Sequence, residues 1–140
     1  MARTPSIELG QSFAGSFFAE GAIKQYMGVK KGSDDHQVKP LADSDTSGTL
    51  IEGIAQFEAD DGESVSVVLL GPSVARAKGS VTRGDLLECI YDAVADKNGN
   101  MKTITVLANG KMIAAIALEA AADGENFKVM LIRQMQLAVS

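Results

Sequence analysis

The sequence predicts an all-β domain, mostly antiparallel and barrel-like or tulip-like, with short helical turns. Three observations predict it: a strand–turn–strand pattern that occurs twice, an excess of glycine, and closely spaced turn signals. Residues 48–70 align without a gap with residues 110–132, at a constant offset of 62. Ten of the 23 pairs are identical, among them Ile54/Ile116, Ala55/Ala117, Asp61/Asp123, Gly62/Gly124, Glu63/Glu125 and Val67/Val129. Four more exchange one apolar residue for another: Leu50/Met112, Val65/Phe127, Val68/Met130 and Leu70/Ile132. The match concentrates on apolar positions and turn glycines, which a fold needs twice. Catalytic residues are needed once, so the internal pseudo-repeat predicts architecture and says little about chemistry. Glycine supplies 14 of the 140 residues, above the usual ~7%, which suits a chain with many tight turns.

Taken in order, residues 1–20 carry three of the five phenylalanines, Phe13, Phe17 and Phe18, among Ser, Gly and Ala. They match no second copy and read as an N-terminal arm or an entering edge strand, leaving residues 21–140 as the β domain. In the first copy, Leu50 to Phe57 reads as a strand and Asp60-Asp61-Gly62-Glu63 as an acidic turn. Val65, Val67 and Leu69 then alternate on a second strand, which Gly71-Pro72 is expected to stop. Gly79 and Gly84-Asp85 punctuate the stretch between the copies. Leu86 to Tyr91 suits a strand or a short helix, and Asn98-Gly99 a turn. Thr103 to Leu107 is rich in β-branched residues and precedes Asn109-Gly110, the pair favoured in type I′ turns, so a hairpin with Met112-Ile113 is expected. Ser47-Gly48 holds the same place in the first copy. In the second copy, Met112 to Leu118 is a strand, Asp123-Gly124-Glu125 the turn, and Phe127, Val129 and Leu131 line one face of the last strand. The Ala-rich run 114–122 also suits a helix. Its twin contains Gly53 and Phe57, which favours strand with at most a short helical turn before Gly124.

A chain of this length fits one domain with a sizeable core. Its hydrophobic fraction of 46% excludes a disordered chain. The formal charge is −5, and Lys30-Lys31 is followed at once by Asp34-Asp35, so no clustered basic surface is expected to bind nucleic acid directly. With no Trp and few aromatic residues, stacking platforms for bases are not expected either. The single cysteine, Cys89, cannot form an intrachain disulfide. The first twenty residues carry Arg3, Glu8 and Glu20 and lack the apolar run of a signal peptide. No apolar stretch approaches the ~18 residues of a membrane span. A protein made in a cytoplasm, without a membrane partner, is expected.

Candidate chemistry is sparse. His36, the only histidine, lies in a polar Asp34-Asp35-His36-Gln37 segment that reads as a surface loop. No nucleophile-elbow spacing accompanies it. Cys89 sits in Leu86-Leu87-Glu88-Cys89-Ile90 and reads as a buried core thiol. Asp96-Lys97-Asn98-Gly99-Asn100 has the start of a calcium loop, but Met101 and Leu107 stand where that loop needs Gly and Glu. The acidic turns read as solvated turns that blunt sheet edges with charge. No catalytic residue, cofactor or metal site is therefore expected. The apolar side chains of the N-terminal segment, Ile7, Leu9, Phe13, Phe17 and Phe18, are the candidate partner contacts.

The spacing of these segments resembles the tailed-phage capsid cement (decoration) proteins. The resemblance is carried by Gly53-Ile54-Ala55, by Gly62-Glu63-Ser64-Val65-Ser66-Val67, by Gly71, and by Gly84-Asp85 with its following strand. It closes with Ile116-Ala117-Leu118-Glu119-Ala120-Ala121 and Gly124-Glu125, so that it spans about residues 48–132. It implies a compact β barrel-like fold and a homotrimer at threefold or quasi-threefold points. It also implies binding to the major capsid protein on the exterior of the mature, expanded virion shell. The protein would be made in the host cytoplasm and would act as a structural bacteriophage protein, not an enzyme. The N-terminal segment and residues 38–46 have no match in that pattern. Two other readings stand beside it: a small ligand-binding β-barrel module, and a trimeric β-fold nucleotide hydrolase. The first needs a concave pocket with convergent polar groups. The second needs phosphate-cradling loops that the sequence does not contain. A sealed, apolar-filled interior would argue against both.

Overall fold

A computed structural model describes residues 12–45, 50–105 and 112–136. The described chain is nearly all β, with nine strands and a single 3-10 turn at Ala95–Lys97. The strands are β1 (Phe13–Ala19), β2 (Gly28–Lys31), β3 (Gln37–Pro40), β4 (Gly53–Ala55), β5 (Ser64–Arg76), β6 (Leu86–Cys89), β7 (Met101–Thr103), β8 (Met112–Ala117) and β9 (Asn126–Gln136). Five of them close on themselves in the order β1-β3-β2-β4-β5, with β1 pairing β5 to complete a small barrel. The second half of β5 pairs with β9, and the order continues β9-β8-β6-β7. A parallel bridge from Ala77 to Met101 returns the last of these to the end of β5. The chain is therefore two five-stranded barrels in tandem, sharing one 13-residue strand.

The pseudo-repeat of residues 48–70 and 110–132 is present as strand–turn–strand in both copies, and it is larger than the sequence shows. Phe18 stands opposite Ser64 in the first barrel as Arg76 stands opposite Asn126 in the second. The parallel pair Ala19/Val38 likewise has its equivalent in Ala77/Met101. Strand β1 thus corresponds to the second half of β5, and β2 to β6, at an offset of 58. Residues 13–19, expected to lack a counterpart, have one: they form a stave of the first barrel, as 71–77 do of the second.

Each interior is filled by alternate side chains, as a barrel this narrow requires. The first holds Ala19, Ile23, Met27, Val29, Val38, Ala55, Val65 and Val67, with Phe17 and Leu69 packed against them. The equivalent positions of the second are Ala77, Val81, Leu87, Met101, Ala117, Phe127 and Val129, all in one cluster. The two acidic turns are braced identically. The Gly62 amide donates to the Ala19 carbonyl at 2.8 Å and the Gly124 amide to that of Ala77 at 2.9 Å. Asp61 accepts from the Gly21 amide and Asp123 from the Gly79 amide, both at 2.8 Å. Glu63 and Glu125 accept from the amides of Asp60 and Ala122 at 2.6 and 2.7 Å. Recurrence of Asp-Gly-Glu follows from this: each carboxylate satisfies a turn N–H that no strand reaches. The turns are exposed, as expected, but they brace closed barrels rather than guard an open edge.

Two local expectations are corrected. Gly71-Pro72 does not stop the strand. Gly71 adopts φ 97, which turns β5 out of the first barrel and into the second, while the Pro72 carbonyl accepts from the Ser12 hydroxyl at 2.5 Å. Nor, among the described residues, does β7 pair with β8 as the hairpin expected between Thr103–Leu107 and Met112-Ile113 requires. Strand β6 lies between β7 and β8 and pairs with both, so the apparent neighbours in sequence are second neighbours in the sheet. The Asn109-Gly110 and Ser47-Gly48 turns lie outside the described residues. The Ala-rich run forms β8 followed by an isolated bridge at Ala121, with no helix.

Candidate functional site

Among the residues singled out for chemistry, His36 is exposed on the loop between β2 and β3. Cys89 is fully buried. Burial pushes its thiol up to about 12, so it is a neutral core group at any ordinary pH. Its Sγ donates to the Gly99 carbonyl at 3.4 Å. Among the described residues, no three His, Cys, Asp or Glu side chains come together in a way that could hold a metal ion.

The calcium-loop-like segment begins in the 3-10 turn and runs on to Asn100. Here Arg76, Asp96, Lys97, Asn100, Asp123 and Asn126 line an open polar cleft of about 360 Å³. Arg76 donates to the Asp96 carbonyl at 3.1 Å and to Asn126 Oδ1 at 3.4 Å. Lys78 donates to Asp92 at 2.7 Å, and this bond, first among the causes, holds the Asp92 carboxyl below its ordinary range. Within the cleft Arg76 is thus engaged with its neighbours, while Asp123 accepts from the Gly79 amide outside it. The Arg76 and Lys78 bonds hold residues 90–100, an excursion with a shorter counterpart in the first barrel, against the end of the second.

Of the candidate contacts, Ile7 and Leu9 lie outside the described residues. Phe17 packs against the core of the first barrel. Phe13 and Phe18 are 66% and 52% exposed. Phe13 stands opposite Leu70, itself 44% exposed, so two large apolar groups meet on the surface where β1 joins β5. Phe57 and Leu50 are further exposed apolar side chains of the first barrel.

A second apolar surface escapes sequence reasoning. Leu86, Ile116, Met130 and Pro72 stand opposite one another in turn across β6, β8, β9 and β5. They form an outward row on the second barrel. Beside it runs an open groove of about 490 Å³ whose lining includes Pro72, Met130 and the exposed Leu118, with Arg83, Glu119 and Lys128 as its polar groups. Only the alternation of Ile116 between Ala115 and Ala117 could have signalled the row, and the alternation does not say which face is outward.

No family model matches the chain, and no curated protein sequence matches it. Among solved structures, it is similar to the head fiber gp8.5 N base of bacteriophage phi29. The two share 17% sequence identity at a TM-score of 0.63, over 92% of this chain and 100% of that one. At this identity the likeness is one of fold.

Proposed function

We propose that this chain is a structural protein of a bacteriophage virion, a decoration or cement protein that binds the outside of the mature head and stabilises the shell. The observation that carries the reading is the fold likeness to the phi29 head fiber base, which takes in the whole of that chain. The sequence resemblance to capsid cement proteins supports the same kind of particle. Two filled barrels support it further. Their interiors hold Phe127, Leu87, Val29, Val67 and Val129 with almost no exposure, and the clefts lie on the outside. That arrangement suits a rigid module that works through its surface, rather than a barrel that encloses a ligand or a catalytic site.

In this reading the partner is the major capsid protein, and the working form is a homotrimer on the virion exterior. Phe13 and Phe18, with Ile7 and Leu9 before them, contribute apolar contact area. Binding to the expanded shell alone stabilises that state by mass action, and many copies each with a modest interface reinforce one another. The test is to mix the purified protein with expanded and unexpanded capsids of its source and follow co-sedimentation. Binding to expanded capsids, with little to unexpanded ones, is expected. Absence of binding to either refutes the reading.

A further inference from the structure

The two barrels carry the same outward row, and only one copy of it is covered. In the first barrel the row is Gly28, Ile54 and Val68, paired in turn across β2, β4 and β5. Ile54 and Val68 are buried, and they belong to the hydrophobic cluster of the second barrel, not of their own. The Gly28 amide donates to the Gly99 carbonyl at 2.9 Å, and Asn98 donates to the Leu41 carbonyl, also at 2.9 Å. This row is the seam between the barrels. Its equivalent in the second barrel is Leu86, Ile116 and Met130. There two of the three side chains are larger, Leu86 for Gly28 and Met130 for Val68, and all remain apolar. Leu86 is 40% exposed, and Ile116 and Met130 are partly exposed.

We propose that the Leu86–Ile116–Met130 row is a self-association face, through which copies of this chain pack their second barrels together in a closed assembly. Three features point to a second copy as the occupant. The equivalent row already packs against a barrel of this same fold within the chain, so the surface is suited to that kind of partner. An open head-to-tail chain is not available. Where the second barrel receives Gly28 and Leu41 of the seam, it presents Cys89 and the Asn98-Gly99 loop. The first barrel has exposed Lys31 in place of Cys89, and only the short polar loop 32–36. Rows must therefore meet rows, which is closed rather than propagating symmetry. Finally, the rim is of mixed sign. Arg83 and Lys128 flank the row together with Glu119, and all three are exposed. Around a symmetry axis the cations of one copy can face the carboxylate of the next, giving an apolar centre with a self-complementary polar rim.

The proposal names the face for a self-association that the virion reading includes, and it is argued from the duplicated row rather than from that reading. The test is the mass in solution of the full chain, followed by light scattering across a concentration series. The wild type is expected to associate. Leu86→Lys and Met130→Lys are each expected to weaken association by roughly tenfold or more, with an unchanged far-UV circular dichroism spectrum. Phe57→Lys, at a more exposed apolar site off the row, is expected to associate as the wild type does. Should Leu86→Lys fail to fold, Met130→Lys gives the same reading. A wild type that stays monomeric overturns the proposal, including the case in which the row serves a different protein. So does an oligomer that both row variants leave intact. A monomer that still binds expanded capsids sinks this proposal alone, and an oligomer that binds no capsid sinks the virion reading alone.

Discussion

Gly28 is the position at which the seam between the barrels can be tested by a single atom. A Cβ built there would lie 2.3 Å from Cys89 Sγ and 3.3 Å from the Gly99 carbonyl oxygen. The first distance is far inside van der Waals contact, so in Gly28→Ala either the thiol or the backbone of the 98–99 loop must move. Overpacking of this kind costs about 1–3 kcal/mol. Replacing glycine in extended backbone returns about 0.4–1 kcal/mol through the unfolded chain. The net expectation is a loss of about 1–2 kcal/mol, read as a lower denaturation midpoint at unchanged slope in urea. Cys89→Ala removes the clashing sulfur and by itself leaves a small cavity, a loss of about 1 kcal/mol. In the double variant the added methyl enters the space the sulfur leaves, so the two losses should fall short of additivity by about 1–2 kcal/mol. A fully additive cycle, or a Gly28→Ala protein as stable as the wild type, would show that the barrels do not meet as described.

Two further outcomes are expected. Cys89, buried and with its thiol pushed up to about 12, should not react with a thiol reagent at pH 8 in the native protein and should react at once in denaturant; rapid native labelling would place it elsewhere. Asp45 is opposed by burial, yet the Ala42 amide and the Lys30 ammonium, 2.5 Å away, hold its carboxyl below the ordinary value. A depressed carboxyl pKa stabilises the fold above the unfolded value near 4, and the contribution is lost as pH falls through the folded value. Asp45→Asn should therefore lose about 1–2 kcal/mol at pH 7 and show a flatter decline below pH 4. Equal acid sensitivity in the variant and the wild type would assign the acid response to other groups.

How far the sequence could be read depended on which side chains the duplication had left alone. In the strand–turn–strand half, Asp61, Gly62 and Glu63 recur as Asp123, Gly124 and Glu125 because each closes a backbone hydrogen bond of the turn. Inward residues recur because the interior has fixed volume. The all-β class and the repeat were therefore legible. The other half, residues 13–31 against 71–89, keeps only Ala19/Ala77 and Gly21/Gly79 as identities. Its outward residues had no reason to agree, since one copy faces a barrel and the other does not. So β1 looked like an arm without a twin. Strand pairing was illegible for another reason. The pairs that matter join residues such as Phe18 and Ser64 or Ala75 and Phe127, far apart in the chain, whereas turn chemistry speaks only for neighbours.

The same divergence explains why the two ends of the molecule differ. A single barrel of about 60 residues is close to the size at which a core is only marginally sufficient. Joining two through a shared strand covers the outer row of the first, and that burial is what allows glycine at position 28: a side chain there would collide with Cys89. At the equivalent position of the second barrel nothing similar restricts size, and leucine is present at 40% exposure. A free surface would relax toward polar residues at little cost to the fold. This row instead keeps leucine, isoleucine and methionine, while the groove beside it carries Arg83, Glu119 and Lys128. Apolar side chains held at the centre of a patch and charges held at its edge are the arrangement of a surface that is covered when the protein works. The row buried in the seam and the row at the end of the chain are then one surface with two uses: within a protomer it packs on the end of the second barrel, and in the proposed assembly it packs on its own copy.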